Sequence, residues 1–251
     1  MRVLLLSDIH ANLEALEACL AVAPKCDSIV NLGDIVGYGA SPNEVTERSQ
    51  RLGGLVVRGN HDKACSGLTD PKDFNPLAGL AVLWTRDHLT PENANWLRLL
   101  PQGPVQIDGL PDVQFVHGSP LDEDEYVVTE ADASQPLLTT PVPVTFFGHT
   151  HIQGVVKSRP GGNDFLRPEY RTVGQREHCE FALEQGSSYL VNPGSVGQPR
   201  DGDWRAAFAV FDSSARAVTL YRVPYNLKGA QDRIVAANLP RRLANRLAAG
   251  R

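Results

Sequence analysis

Long apolar runs are missing from this sequence of 251 residues. The apolar run near its start, Val3–Leu6, is too short for the core of a signal peptide and far below the ~20 apolar residues that a membrane-spanning helix needs. Runs of basic residues are also missing, and the formal net charge is −5, which argues against an extended nucleic-acid track. We therefore expect a cytoplasmic protein without a membrane partner.

Cysteine is scarce too. The four cysteines show neither the CxxC pairs of a structural zinc site nor the spacing of a disulfide framework, so we interpret them as reduced thiols. Apolar residues make up 42% of the chain and charged residues 21%, an ordinary globular balance that allows a buried core. No internal repeat or convincing boundary divides the chain, and we predict one domain over residues 1–251.

The first part of the chain alternates predicted strands and helices. Three apolar runs are typical of buried strands: Arg2–Leu6, Ser28–Leu32 and Gly54–Val57. Between them, Ala11–Val22 and Pro42–Leu52 have the apolar spacing and the end signals of helices. This order predicts parallel neighbouring strands with helices packed on the sheet, the pattern of an α/β fold.

The later part of the chain is richer in predicted strands. Two helices come first, over Asn75–His88 and Thr90–Leu100. Seven strands are predicted after them: Val105–Ile107, Val113–Val116, Val144–Phe147, Val155–Lys157, Ser188–Val191, Ala206–Phe211 and Ala217–Val223. Residues 121–143, acidic and then proline-rich, and residues 159–186 are predicted excursions from the core, and the first could cap a site. Residues 226–250 are predicted as one basic amphipathic helix, exposed on the surface or in contact with a second copy in a homo-oligomer.

Polar residues of similar chemistry follow five of the predicted strands. They are Asp8, His10, Asp34, Asn60, His61, Asp62, His117, His149 and His151. Ligands of open α/β sheets bind at the carboxyl ends of the strands, so these side chains are expected to meet. Each could instead be a helix cap or a turn residue. Because so many buried polar groups without a shared partner would be costly, a shared cation is favoured.

The segment Gly148–His151 shows the pattern most compactly. In an extended segment, the rings of His149 and His151 would point to the same side, about 7 Å apart along the chain.

Mixed imidazole and carboxylate ligands suit Mn, Fe, Zn, Ni or Co. The number of candidates exceeds one four-coordinate site, so two divalent or trivalent ions fit better than one. Two ions about 3.5–4 Å apart clamp a phosphate group and supply a bridging hydroxide as nucleophile.

The motifs D-x-H, G-D, G-N-H-D, H-G and G-H-x-H, in this order between residues 8 and 151, resemble those of the calcineurin-like metallophosphoesterase superfamily. The resemblance implies a four-layer α/β/β/α sandwich of two mixed sheets with the metal site at the strand ends. It implies that Asp8, His10 and His151 hold one ion. It further implies that Asn60, His117 and His149 hold the other and that Asp34 bridges them. His61 would be catalytic, as proton donor or charge stabiliser, with Asp62 orienting its ring.

The chain departs from the protein Ser/Thr phosphatase branch of that family. It has Gly37-Tyr38 where that branch has Asp-Arg, and Asp62 where that branch has Glu. The chain is more similar to small bacterial and archaeal phosphodiesterase-like members, which also carry the N-P-G-S element found at residues 192–195. That element could be a turn, or its loop could border the site. Candidate substrate contacts are Tyr38, Asn43 and Arg200.

The predicted function is hydrolysis of a small phosphate ester or nucleotide, with a phosphodiesterase favoured. A broad-specificity phosphomonoesterase and a diadenosine-polyphosphate hydrolase are alternatives within the same chemistry. A non-catalytic scaffold and a nucleic-acid processing enzyme are alternatives of other classes; the acidic balance disfavours the second.

Overall fold

The computed structural model describes residues 1–173 and 176–251, which form two β-sheets and eight α-helices. The strands are β1 (Arg2–Leu6), β2 (Ser28–Asn31), β3 (Leu55–Val56), β4 (Val113–Phe115), β5 (Val144–Phe146), β6 (Gly154–Arg159), β7 (Gly162–Leu166), β8 (Arg171–Val173), β9 (Arg176–Ala182), β10 (Tyr189–Asn192), β11 (Ala206–Asp212) and β12 (Ala217–Val223). The helices are α1 (Leu13–Val22), α2 (Pro42–Leu52), α3 (Asn60–Cys65), α4 (Pro76–His88), α5 (Pro91–Arg98), α6 (Ser134–Thr139), α7 (Leu227–Ala236) and α8 (Arg241–Ala249).

Both sheets are mixed. The larger sheet has the strand order β3-β2-β1-β11-β12-β9-β8, and the smaller one has the order β4-β5-β10-β6-β7. The strands β1, β2 and β3 are parallel, and so are β4, β5 and β10. The carboxyl ends of these parallel strands carry the predicted polar motifs.

The two sheets pack face to face, and β1 shows how the layers form. Alternate side chains of a strand point to opposite faces. Val3 and Leu5 pack in the core between the sheets, whereas Leu4 and Leu6 pack against the helices. Burial of each such side chain stabilises the fold by ~1.5–3 kcal/mol, so the strict alternation fixes which face of β1 meets which layer.

The outer layers differ in size. On the larger sheet, residues of α1, α4, α7 and α8 join one apolar cluster with the sheet. On the smaller sheet, Leu137 of α6 and nearby residues such as Val127 and Ala133 pack against Phe147 and Leu190. The order of layers is therefore helix, sheet, sheet, helix, which confirms the expected four-layer α/β fold with two mixed sheets.

Three sequence predictions differ from the structure. Residues 159–186 were predicted as an excursion, but β7, β8 and β9 lie there and extend both sheets. The single helix over 226–250 is wrong because Pro240 separates α7 from α8, and proline lacks the N–H that would continue a helix. The strand at Val105–Ile107 is reduced to one bridge between Val105 and Phe115.

Within the described part of the chain, none of the helices combines the length and the apolar character needed to cross a membrane.

Candidate metal centre

The ligand candidates lie in tight bends directly after the strands. Five of them have φ angles of 48° to 65°, in the left-handed region that side chains rarely adopt: Asp8, His10, Asp34, His149 and His151. Each such residue costs about 1–3 kcal/mol of backbone strain and persists only where its surroundings enforce it. Strain concentrated on one cluster of polar residues indicates that the cluster serves a function.

The first ligand group consists of Asp8, His10, Asp34 and His151. One ligand atom from each lies within 4.8 Å of the others, and all four residues are buried. The Nε2 atom of His151 is 3.2 Å from Asp8 Oδ1 and 3.1 Å from His10 Nε2. His10 Nε2 in turn lies 3.6 Å from Asp34 Oδ2.

The second ligand group consists of Asp34, His117 and His149, again within 4.8 Å of one another and buried. His117 Nε2 lies 3.5 Å from Asp34 Oδ2 and 3.1 Å from His149 Nδ1. The side-chain oxygen of Asn60 is 3.3 Å from the same His117 nitrogen, so Asn60 adjoins this group. Asp34 belongs to both groups, which is the geometry that a bridging carboxylate requires.

Each of the four histidines in the two ligand groups forms a hydrogen bond to a main-chain carbonyl with the ring nitrogen that faces away from the group. The pairs are His10 Nδ1 with Val36 at 3.1 Å, His117 Nδ1 with Leu32 at 2.8 Å, His149 Nε2 with Asp124 at 3.1 Å, and His151 Nδ1 with Gln198 at 2.6 Å. A carbonyl can only accept, so these nitrogens donate, and in each ring that is neutral the inward nitrogen carries the lone pair. Such outer partners fix ring orientation in metal sites.

The charges and lone pairs at this centre fit a cation. The Oδ1 atom of Asp8 is buried and has no hydrogen-bond donor among the described residues. His10 Nε2 and His151 Nε2 face each other at 3.1 Å with lone pairs toward the same space. Burial lowers the pKa of His10 well below its usual range, which keeps its ring neutral and able to ligate. Divalent metals bound by imidazole and carboxylate would satisfy all of these atoms.

The pKa of His117 is shifted in the opposite direction to that of His10. Burial disfavours its charged form, but the carboxylate of Asp34 outweighs that effect and raises the pKa of His117 to about 10. Metal binding at the second group would therefore displace a proton, because a ligating imidazole is neutral.

The Gly148–His151 segment is a bend and not an extended strand. Both His149 and His151 have positive φ angles, which corrects the argument that an extended backbone turns their rings to one side. The two rings enter different ligand groups.

His61 lies at the edge of the centre. Its main-chain N–H donates to Asp34 Oδ1 at 2.8 Å, and its ring packs 4.9 Å from that of His10 and 4.4 Å from that of Tyr38, between centroids. The Nδ1 atom is buried against Gly37, where a Cβ would lie 2.4 Å away, and it has no hydrogen-bond partner among the described residues. This leaves Nε2 as the nitrogen available to a substrate. Burial lowers the pKa of His61 to about 4, so the ring is neutral at pH 7.

Asp62 does not orient the His61 ring, contrary to the prediction. Its Oδ2 atom accepts from the main-chain N–H groups of Asp34 and Gly59, at 2.8 and 2.9 Å. Its Oδ1 atom accepts from Ile35 at 2.9 Å and Val36 at 3.3 Å. The carboxylate faces the loop after β2, so Asp62 holds the backbone of the bridging Asp34 in place.

A cleft of about 310 Å³ opens over the second ligand group. Its walls include Asn60, His61, His149, Lys63, Asp124, and three aromatic side chains, Tyr38, Phe74 and Tyr126.

Of the three predicted substrate contacts, Tyr38 lines this cleft and Arg200 lies against Tyr38. Arg200 donates to the Tyr38 hydroxyl at 3.4 Å and to Gln198 Oε1 at 3.1 Å, while its Nε is buried and has no partner in the part of the chain that the structure describes. The charge of Arg200 also contributes to the lowered pKa values of His61 and His151, after burial. Arg200 therefore lies near the first ligand group and His61.

Asn43, the third predicted contact, lies elsewhere. Its Nδ2 donates to the carbonyl of His88 at 2.8 Å, and its Oδ1 accepts from Thr90 N at 2.9 Å and Asn93 Nδ2 at 3.0 Å. All its polar atoms join α2 to the turn between α4 and α5. The prediction was wrong because position in a loop near Asp34 does not reveal which way a side chain points.

The sequence analysis did not identify the site contacts made by the loop of residues 121–143. Tyr126 packs on the His149 ring with centroids 3.8 Å apart. Lys63 of α3 bonds Glu123 at 2.9 Å and Asp124 at 2.6 Å, which anchors this loop over the second group. The acidic composition of the loop was visible in the sequence, but its partner Lys63 was not.

The N-P-G-S loop borders the site and holds it. Ser195 Oγ donates to the carbonyl of Asp8 at 2.8 Å, and Asn192 Nδ2 donates to the carbonyl of Gly148 at 2.8 Å. This loop therefore connects the strand ends of the two sheets, which the sequence motif alone left open.

Comparisons with known proteins agree with this geometry. The family described as "Calcineurin-like phosphoesterase superfamily domain" matches residues 1–216. A crystal structure of a metallophosphoesterase from Sphaerobacter thermophilus is 39% identical, with a TM-score of 0.84 over 100% of this chain and 99% of that one. A hypothetical protein from Pyrococcus horikoshii OT3 shares the fold, with a TM-score of 0.79 at 22% identity over 100% of this chain and 98% of that one.

One curated relative extends the match along nearly the whole chain. An uncharacterised protein from Methanocaldococcus jannaschii is 36% identical over 248 residues, which is 98% of this chain and 97% of that protein. The resemblance found in the sequence motifs is thereby confirmed, and the chain belongs to the calcineurin-like phosphoesterase superfamily.

Proposed function

We propose that this protein is a hydrolase of phosphate esters that depends on two metal ions, with phosphodiesters as its preferred substrates. The observation that supports it most directly is the carboxylate of Asp34, which is shared by two separate ligand groups. A site for one ion would need only one of these groups. Asp8, His10 and His151 would hold one ion and Asn60, His117 and His149 the other, with Mn, Fe, Zn, Ni or Co as candidates.

Two bound cations would activate a water and neutralise charge on the phosphate. The chain itself supplies the other groups. His61 lines the cleft, and a neutral ring can donate a hydrogen bond to the leaving oxygen or to a phosphate oxygen. Arg200 adds a charge-assisted donor from the loop between β10 and β11. Asp62 keeps the loop of Asp34 fixed, so these groups need no reorganisation during the reaction.

The charges around the cleft favour a diester. Lys63, the lysine in the cleft wall, is paired with Glu123 and Asp124. A phosphodiester carries one negative charge and has two organic substituents, which suits Arg200 together with the aromatic walls formed by Tyr38 and Tyr126. Aromatic faces gain stability by stacking on flat organic groups.

The test is hydrolysis of bis-p-nitrophenyl phosphate and p-nitrophenyl phosphate by the Mn²⁺-loaded protein. We expect turnover of both, with the higher kcat/KM for the diester. A higher kcat/KM for the monoester would contradict the phosphodiesterase proposal and favour a broad-specificity phosphomonoesterase. Diadenosine tetraphosphate, assayed beside them, tests the remaining alternative within the same chemistry.

A non-catalytic scaffold would hold the metals without turnover. The two ligand groups share Asp34, and His61 packs beside His10, which supports catalysis over a scaffold. Two bound ions per chain and no hydrolysis of any of the three substrates would support the scaffold instead.

A further inference from the structure

A second groove, which we call the α8 groove, opens beside the cleft and has a volume of about 680 Å³. One wall is a face of α8 that carries Arg242, Asn245 and Arg246. These residues are spaced by three and four positions, so they lie on the same side of the helix. Asn75, just before α4, lines both the α8 groove and the cleft. The two depressions are therefore adjacent.

Tyr38 marks the border between the metal centre and the α8 groove. Its ring centroid lies 4.8 Å from that of His10 in the first ligand group. The guanidinium carbons of Arg246 and Arg200 lie 5.6 Å and 5.7 Å from the same Tyr38 centroid. One aromatic ring thus holds two cations that belong to distant parts of the chain.

Within the described part of the chain, no acidic side chain forms an ion pair with the arginines at this border. Arg200 donates to Tyr38 and Gln198, and Arg246 Nε donates to the main-chain oxygen of Arg251 at 2.8 Å. Among residues 1–173 and 176–251, several arginines form ion pairs with Asp or Glu. None of these ion pairs includes Arg200, Arg242 or Arg246.

Holding these guanidinium groups close together has a cost. Burial, and next the charge of Arg200, lower the pKa of Arg246. Like charges in a partly dry groove repel each other, and an anion between them would turn the repulsion into charge-assisted hydrogen bonds. Arginine suits phosphate oxygens better than lysine because its planar group donates two parallel hydrogen bonds.

We propose that the α8 groove binds a second anionic group of the substrate, such as a phosphate, while the phosphate to be hydrolysed lies at the metal centre. This inference rests on the proposed function and narrows its substrate class. The substrate would carry two phosphate groups separated by a spacer, with Arg246 nearer the centre and Arg242 one helical turn along α8. Simple esters with uncharged arms would use only the cleft.

Calorimetric binding to the Mn²⁺-loaded protein tests this with ligands of variable spacing. The probes are linear alkanediol bisphosphates, from propane to octane, each paired with the alkyl monophosphate of the same length. At least one bisphosphate should bind about tenfold or more tightly than its monophosphate, the gain expected from a charge-assisted hydrogen bond. The length of the spacer in the bisphosphate that binds most tightly would indicate the distance from the metal centre to Arg246.

Two variants and a matched control assign the effect to the groove. Arg246→Gln and Arg242→Gln should each reduce the ratio of monophosphate to bisphosphate dissociation constants, and Arg246→Lys should restore part of it. Arg241→Gln removes the same charge from the same helix at an exposed position outside the groove walls, and it should leave the ratio unchanged. Circular dichroism checks that each variant folds, and Arg242→Gln carries the test if Arg246→Gln unfolds.

The inference fails if no bisphosphate binds better than its monophosphate by more than the statistical factor of two. It also fails if the preference survives in the folded Arg242→Gln and Arg246→Gln proteins. The proposed function fails separately, through absence of ester hydrolysis by the metal-loaded wild type. A preference for bisphosphates that depends on the arginines, without any hydrolysis, would support the anion site in the α8 groove and contradict the proposed hydrolase function.

Discussion

The two ligand groups of the metal centre differ in their access to solvent. Asp8, His10 and His151 of the first group are each at most 1% exposed, and Tyr38 packs over the His10 ring. In the second group, Asn60 is half-buried and, together with His149, lines the cleft. The same types of ligand therefore stand in a closed and an open setting, with the carboxylate of Asp34 between them.

This difference assigns separate tasks to the two groups. The closed group lies where both sheets and the N-P-G-S loop meet, so its ion would hold strained strand ends together. The open group faces the space that a substrate can enter, so its ion would contact the substrate directly. A dimetal site with one sealed and one accessible position also predicts unequal rates of metal exchange.

The largest effect is expected from removing the shared ligand. Asp34→Asn takes the bridging charge from both groups, and we expect kcat/KM to fall by roughly 10⁴, because each metal ion contributes several kcal/mol to the reaction. Metal content by mass spectrometry should drop for both ions. Retention of two ions at wild-type affinity would contradict the bridging role.

Replacing His61 separates chemistry from metal binding. His61→Asn should lower kcat by about 10²–10⁴, as expected for loss of a proton donor or acceptor, while both ions stay bound. Steady-state kinetics and metal analysis of the same sample make the check. Wild-type turnover in this variant would remove His61 from the mechanism.

The closed and open groups can be compared directly by a chelator challenge. The wild type should lose its ions in two phases, a fast one from the open group and a slow one from the closed group. His149→Gln should weaken the fast-exchanging ion, and His151→Gln the slow one. Each variant should lower the affinity for its ion by at least roughly 10–100-fold, because losing only the outer hydrogen bond of a ligand already lowers metal affinity by that much. Identical release curves for the two variants would show that the groups are equivalent.

The smallest effects distinguish Arg200 from Asn43. Arg200→Gln should raise KM about tenfold through loss of a charge-assisted hydrogen bond. Asn43→Ala should leave KM unchanged and lower the free energy of unfolding by about 1–3 kcal/mol, because it removes three hydrogen bonds to the α4–α5 turn, one of them to the buried Asn93. Denaturant unfolding and kinetics on both variants test the pair, and a raised KM in Asn43→Ala would return that residue to the site.

Much of the site was predictable because its residues follow strands directly. Parallel strands bring their carboxyl ends to one edge, so Asp8, Asp34 and Asn60 converge whatever the details of packing. Side chains whose role depends on direction were not predictable. Asp62 and Asn43 sit at expected positions, yet their carboxylate and amide bond to backbone and side-chain groups away from the predicted targets.

The sequence by itself determined the family, the order of strands and helices in the first part of the chain, and the set of polar residues at the strand ends, because these depend on local pattern and spacing. Tertiary structure decided the rest. Only the packing of the two sheets selects which nitrogen of each histidine faces inward. Only the return of α8 places Arg246 beside Tyr38. Contacts between residues that far apart in the chain are set by the shape of the whole core, which no short stretch of sequence contains.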